Sequence, residues 1–109
     1  MISWSRVAEL RDEIGAEDFD EVVELFLEEV EEVIERLKVG VEEAALEPDL
    51  HFLKGSALNL GFSELSNVCA KGEKLASSGE ASAVNLTHVI DTFTGSRSVF
   101  LEELPARLN

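Results

Sequence analysis

Apolar residues recur along the chain at intervals of three and four and nowhere alternate over the length of a strand, a pattern that predicts helices throughout and no sheet. Trp4, Val7, Leu10 and Ile14 mark a short first helix, with Ser3 as its N-cap and Gly15 as its stop. A second helix is expected from Asp18 to Lys38, with Phe19, Val22, Val23, Phe26, Val30, Val33, Ile34 and Leu37 on one face and glutamates on the other. Asp18 and Asp20 suit its electropositive start, Arg36 and Lys38 suit its end, and Gly40 follows as a stop. Residues 41–47 read as a linker or frayed entry. Pro48 then fits the first turn of a third helix that runs to Leu60 and stops at Gly61, because a first-turn residue has no helical use for the N–H that proline lacks. Ser63 and Glu64 suit the start of a fourth helix, which turns Leu65, Val68, Cys69, Gly72 and Leu75 inward and ends at Ser77-Ser78-Gly79. The fifth is expected from Ser82 to Leu104, with Leu86, Ile90, Phe93, Phe100 and Leu104 inward and Arg97 snorkelling out of that stripe. Long amphipathic helices joined by short connections are most economically an all-α, up-down-up-down antiparallel four-helix bundle, with the short first helix packed across one end as a lid.

Composition narrows what such a bundle could do. At 109 residues it is expected to form one domain, residues 1–109, with one core and room for one site. A hydrophobic fraction of 45% excludes wholesale disorder despite a formal charge of −14, and that charge excludes a nucleic-acid partner, since phosphate backbones are bound by clustered Lys and Arg. One cysteine supports neither a disulfide framework nor a Cys-based zinc site, so a reducing compartment is expected. No apolar run approaches the roughly 20 residues of a membrane span. The first residues also lack the basic-then-apolar pattern of a signal peptide, which predicts a cytoplasmic protein with no membrane partner. The charge is unevenly distributed. Residues 1–49 hold 17 acidic and 4 basic residues, a net of −13; residues 50–109 hold 6 and 5, a net of −1. Lys54, Lys71 and Lys74 lie close together in that second half, where an anion would approach.

The third helix breaks its own pattern twice. Leu50, Leu53, Ala57 and Leu60 define its core direction, and His51 projects about 140° away from it, with Gly55 and Leu58 on nearly the same outward line. An interior helical glycine costs about 1 kcal/mol relative to alanine, and no turn requires one at position 55. Four residues beyond an exposed histidine, its missing side chain leaves clearance for a group on the ring and for a partner's backbone. Lys54 supplies a cation one turn from the histidine, and Ser56 and Asn59 add a hydroxyl and an amide elsewhere around the helix. An imidazole with an ordinary pKa of about 6.5 is largely neutral at pH 7, so one ring nitrogen can act as a nucleophile while a hydrogen bond holds the other. The combination suits a phosphoryl group carried on histidine, because phosphoryl transfer asks for positioning and charge neutralisation more than for covalent chemistry. Exposed Phe52 and Leu58 beside His51 would offer a partner an apolar docking surface.

His51-Phe52-Leu53-Lys54-Gly55-Ser56, followed by Gly61, Leu65, Cys69 and Glu73, closely resembles the histidine-containing phosphotransfer (HPt) domain of multistep two-component phosphorelays. The motif covers about 25 residues, and the number and length of the helices extend the resemblance over nearly the whole chain. It implies a phosphoryl carrier without ATP-dependent kinase activity of its own. His51 would accept a phosphoryl group from the phosphoaspartate of a receiver domain and pass it to another receiver aspartate. Lys54 would lie near the phosphate and Gly55 would be the steric opening. Phe52, Ser56, Leu58, Asn59 and Glu73 would face the partner, and Glu73 falls where some members have a glutamine that hydrogen-bonds the histidine. The implied partners are response-regulator receiver domains and a hybrid sensor kinase, the chain acting as a monomer. No cofactor is expected on the chain, Mg²⁺ belonging to the receiver. Two departures are Leu50, where an alanine often precedes the histidine, and Ala57, where a second serine is frequent. Both bear on partner choice rather than on phosphoryl chemistry.

Blander assignments remain for the other candidates. His88 has no neighbouring Lys or Gly and reads as a surface histidine; Cys69 reads as a small core residue; Trp4 and Phe19 read as packing; the Glu28-Glu29 and Glu31-Glu32 run reads as a solvated face. A di-iron bundle needs Glu three residues before each histidine, and Pro48 and Asn85 stand there instead, so no metal ligands are expected. A serine hydrolase fails because Gly55-Ser56 lacks a strand-turn-helix elbow. The competing functions are a non-catalytic helical adaptor that docks through Phe52 and Leu58, and the dimerisation and phosphoacceptor part of a sensor kinase.

Overall fold

A computed structural model describes residues 1–107 and shows, among them, five α-helices, one 3₁₀ turn and no strand. The helices are α1 (Trp4–Ile14), α2 (Ala16–Val39), α3 (Glu43–Leu60), α4 (Ser63–Ser77) and α5 (Leu86–Arg107), with the 3₁₀ turn at Ala81–Ala83. They form a helical bundle in which α2 packs on α3 and α5, and α4 packs on α3 and α5. The core between them is apolar. Ile34, Leu50, Leu53, Leu60, Phe62, Leu65 and Phe100 are fully buried, each stabilising the fold by about 1.5–3 kcal/mol through removal from water. Glu28, Glu29 and Glu32 lie exposed on the opposite face of α2. No helix among the described residues is long and apolar enough to cross a membrane.

Several boundaries differ from those the sequence predicts, each for a local reason. α2 begins at Ala16, two residues before Asp18, directly after Gly15 closes α1 with its N–H on the Arg11 carbonyl at 2.8 Å. α3 begins at Glu43 and not at Pro48, so residues 43–47 are helix instead of linker. Burial of Leu46 supplies the energy for that extra turn. Pro48 then sits in the second turn, where the Ala44 carbonyl it leaves without a helical donor is on an exposed residue and can bond water. Ser63 does not cap α4: Phe62 holds the cap position, and the Ser63 hydroxyl donates to the Met1 carbonyl at 3.1 Å. α5 starts at Leu86 rather than Ser82, because the Asn85 side-chain oxygen accepts the His88 N–H at 3.0 Å and so satisfies one of the helix's free donors. It runs past Leu104 to Arg107. Its inward stripe is Val89, Thr92, Phe93, Ser96 and Phe100, while Leu86, Ile90 and Leu104 are only half-buried. Leu27 likewise joins the α2 core, and Val22 and Phe26 lie on its edge.

α1 is stitched across one end of the bundle. The Ser3 N–H donates to the Gly61 carbonyl at 2.7 Å, Arg6 Nε donates to the Asn59 carbonyl at 3.0 Å, and the Trp4 ring stacks on Phe100 with centroids 5.7 Å apart. Gly61 is required twice over at this junction. It adopts the left-handed conformation (φ 88°) that ends α3, and a Cβ there would lie 2.8 Å from the Ser3 carbonyl oxygen and 2.9 Å from Val7 Cγ2. Gly61→Ala is expected to destabilise the protein by about 2 kcal/mol or more, combining backbone strain with loss of the α1 contact. A urea titration would read this as a lower midpoint at an unchanged slope; an unchanged midpoint would contradict it.

Candidate functional site

The site lies near the middle of α3, clear of the end that α1 covers, since His51 is nine residues, about 14 Å, from Leu60 along the helix. Leu50 and Leu53 are fully buried and pin the helix's rotation, which turns His51 out to solvent with its side chain 69% exposed. Gly55 lies one turn on, in the open: a Cβ built there meets no heavy atom within 4 Å outside its own helix and chain neighbours. Nothing in the fold therefore demands this glycine.

The fourth helix approaches α3 closely beside the histidine. Gly72 permits this approach, because a Cβ on it would stand 3.0 Å from Leu50 Cδ1 and 3.3 Å from Val84 Cγ1. The next residue, Glu73, consequently reaches across to α3, where its carboxylate is shared. One oxygen, Oε2, lies 2.5 Å from His51 Nδ1 and the other, Oε1, lies 2.5 Å from Lys54 Nζ. Glu73 is only 17% exposed, whereas Lys54 retains 34%. The Lys54 ammonium, followed by the hydrogen bond from His51, holds the Glu73 carboxyl below the usual carboxylate range, outweighing the partial burial that pushes it up. Glu73 is thus an acceptor only at neutral pH, and the Nδ1 atom facing it must carry the hydrogen. That leaves the Nε2 lone pair on the other side of the ring, without a hydrogen-bond partner among the described residues.

The remaining predicted positions spread around this centre. Phe52 and Leu58 are exposed, at 38% and 64%, Phe52 to one side of the histidine's line and Leu58 on that line two turns further along. Ser56 is half-buried, and Asn59 is exposed about 12 Å along the helix from His51 with its backbone carbonyl already taken by Arg6. Neither side chain is brought to the His51–Glu73–Lys54 cluster. Lys71 and Lys74 are exposed on α4. His88 is exposed on the first turn of α5, beside a shallow groove of about 230 Å³ that Lys71, Val68 and Val84 also line. Cys69 is fully buried, and that burial, helped by the negative charge of Glu73, pushes its thiol up to about 12, which suits packing and not nucleophilic chemistry. The sequence alone did not reveal that Lys54 is held by Glu73, nor that Gly72 sets the spacing; the available signal was an acidic residue directly after a glycine on the inward stripe of α4.

Because Glu73 has a lower pKa in the folded chain than when unfolded, its contacts stabilise the protein above the unfolded value of about 4.3 and stop doing so as pH falls through the lower native value. Wild type and Glu73→Gln are therefore expected to differ in urea midpoint at pH 7 and to converge toward pH 3. A difference that persists undiminished at pH 3 would contradict the ionised bridge.

A family model described as the Hpt domain matches residues 21–104, which takes in most of α2 and the whole of α3 and α4, and α5 up to Leu104. No curated protein and no solved structure gives a significant match to the chain.

Proposed function

The chain belongs to the Hpt domain family, whose members carry phosphoryl groups on histidine in two-component phosphorelays, act with receiver domains and are not kinases; from that premise we propose that His51 is the phosphoacceptor of this chain. The observation that carries the assignment is the Glu73 bond to Nδ1, which leaves an exposed Nε2 beside an unencumbered glycine. Nε2 attacks the phosphorus of a receiver's aspartyl phosphate. An N–P bond forms, the P–O bond to the aspartate breaks, and the electron pair of that bond leaves with the aspartate as carboxylate. The reverse step returns the phosphoryl group to a second receiver aspartate. Glu73 accepts the Nδ1 hydrogen throughout and so keeps the nucleophilic lone pair at Nε2. Lys54 gives one of its three N–H donors to Glu73 and has two to offer the phosphoryl oxygens. Gly55 gives the incoming group its clearance.

Phe52 and Leu58 form the apolar part of the receiver-docking surface, with Ser56 and Asn59 as its polar margin. Mg²⁺ is brought by the receiver, whose acyl phosphate it neutralises, and the chain itself takes no cofactor. A hybrid sensor kinase is the proposed upstream source. The same proposal makes the protein a cytoplasmic monomer, one domain over residues 1–109 (residues 108 and 109 lying outside those described), with α2 to α5 in the up-down-up-down order that short connections favour.

Incubation with a phosphorylated receiver and Mg²⁺ is expected to place acid-labile, alkali-stable phosphate on the protein, and His51→Gln to abolish it. Equal labelling of the variant would overturn the assignment; receiver binding with no transfer at all would instead identify an adaptor. Gly55→Gln is expected to block transfer while leaving the circular dichroism of the helices intact. Leu58→Asp is expected to weaken receiver binding by about tenfold or more, the worth of one buried leucine, without changing chemical phosphorylation by the small donor phosphoramidate.

A further inference from the structure

The bond from Glu73 to Nδ1 has a second chemical effect, on the way the phosphoryl group leaves. When Nε2 carries a phosphoryl group and Nδ1 keeps its hydrogen, the ring is a cation. Breaking the N–P bond then returns the electron pair to Nε2 and releases a neutral imidazole. If Nδ1 has lost its hydrogen first, the same cleavage must release an imidazolate, a far poorer leaving group. The fate of one proton therefore decides how readily the group is given up.

Among the described residues Glu73 of α4 faces that proton and Lys54 of α3 bonds Glu73, while Glu47, one turn earlier on α3, is exposed. Glu73 alone contacts Nδ1, at 2.5 Å, and it sits on the less exposed side of the ring. A carboxylate there favours the cationic ring by direct attraction; a neutral amide in the same place would not. Its charge is also kept from the phosphoryl group. Oε1 is matched by the Lys54 ammonium, and the phosphoryl group rides on Nε2, across the ring from the carboxylate.

Building on the assignment of His51 as phosphoacceptor, we propose that Glu73 is a positioning residue for phosphoryl donation: it retains the Nδ1 proton on phosphorylated His51 and so keeps the neutral-imidazole exit open to higher pH. The donating step balances without another reagent. The receiver aspartate oxygen forms the P–O bond, the N–P bond breaks onto Nε2, and Nδ1–H stays in place on Glu73. Phosphorylated His51 is then a prompt donor at neutral pH rather than a store, which places the chain at a through-passing step of a relay, supplied by one acyl phosphate and consumed by another.

The effect has a sign that depends on pH. Above the pH at which the ring of the Glu73→Gln variant loses its proton, wild type transfers faster, by about tenfold for an opposite charge acting at a partly exposed site. On the acid side both rings are protonated, and the carboxylate then stabilises the charged ground state more than the partly discharged transition state. The variant's plateau is there no lower than that of wild type.

The test uses both proteins phosphorylated at His51 with phosphoramidate, so that loading does not depend on a receiver. Rates of phosphate loss to water and of transfer to an unphosphorylated receiver with Mg²⁺ are then followed from pH 5 to pH 9. The expected result is a wild-type profile that holds to a pH about one unit higher than that of Glu73→Gln, with the curves meeting or crossing on the acid side. Profiles with the same midpoint, or a variant slower by one constant factor at every pH, would overturn the proposal, the latter marking a structural role only. Failure of the underlying assignment looks different: chemically loaded His51 that exchanges its group with no receiver at any pH.

Discussion

The site depends on how closely α4 can approach α3 beside Leu50. A Cβ at Gly72 would press on Leu50 and Val84, which converge there, and this proximity carries the next residue of α4 over the edge of α3. Without it, Glu73 would be one more surface acid on a strongly acidic protein. With it, the carboxylate bridges His51 and Lys54, fixing the hydrogen on one ring nitrogen and holding the neighbouring cation in place. Leu50, where the family often has alanine, and Gly72 make a complementary pair: the larger side chain on one helix meets the smallest on the other. The departure noted in the sequence is thus absorbed in packing under the site.

Charge follows a similar logic of local exception. The acidic total belongs mainly to the first half of the chain, on the solvent face of α2 and the entry to α3. Beside His51, Glu73 is paired with Lys54, and Lys71 and Lys74 stand exposed on α4, so the charge balance of this half differs from that of the whole molecule. The one anion kept close to the ring faces the nitrogen that must bear a proton. Lys54 is held by Glu73, which takes one of the three donors of its ammonium.

Gly55 within α3 and Gly61 at its C-terminal cap show how differently the same residue can be used. Gly61 is dictated by the chain's own atoms, a left-handed turn pressed against Ser3 and Val7. A Cβ at Gly55 would meet no other element among the described residues, and the glycine costs helix stability, so packing within the fold does not account for it.

Much of this was legible in the sequence. The three-and-four spacing of apolar residues determined the helices and most of their buried faces, since burial of one stripe is what makes a surface helix stable; on α5 packing turned Val89, Thr92 and Ser96 inward in place of Leu86, Ile90 and Leu104. The same periodicity put His51, Gly55 and Leu58 on one outward line, because that relation is internal to a single helix and needs no partner to define it. Where the sequence misled, tertiary packing had overruled a local signal: Leu46 found a place in the core and drew α3 a turn past Pro48, Ser63 spent its hydroxyl on the chain's first residue instead of on its own helix, and Asn85 capped α5 three residues after Ser82. What only the tertiary structure decided was the relation between His51 and Glu73, 22 residues apart on different helices. Periodicity states which way each side chain points around its own axis and is silent on how far apart two axes lie. That distance was set by Leu50 against Gly72.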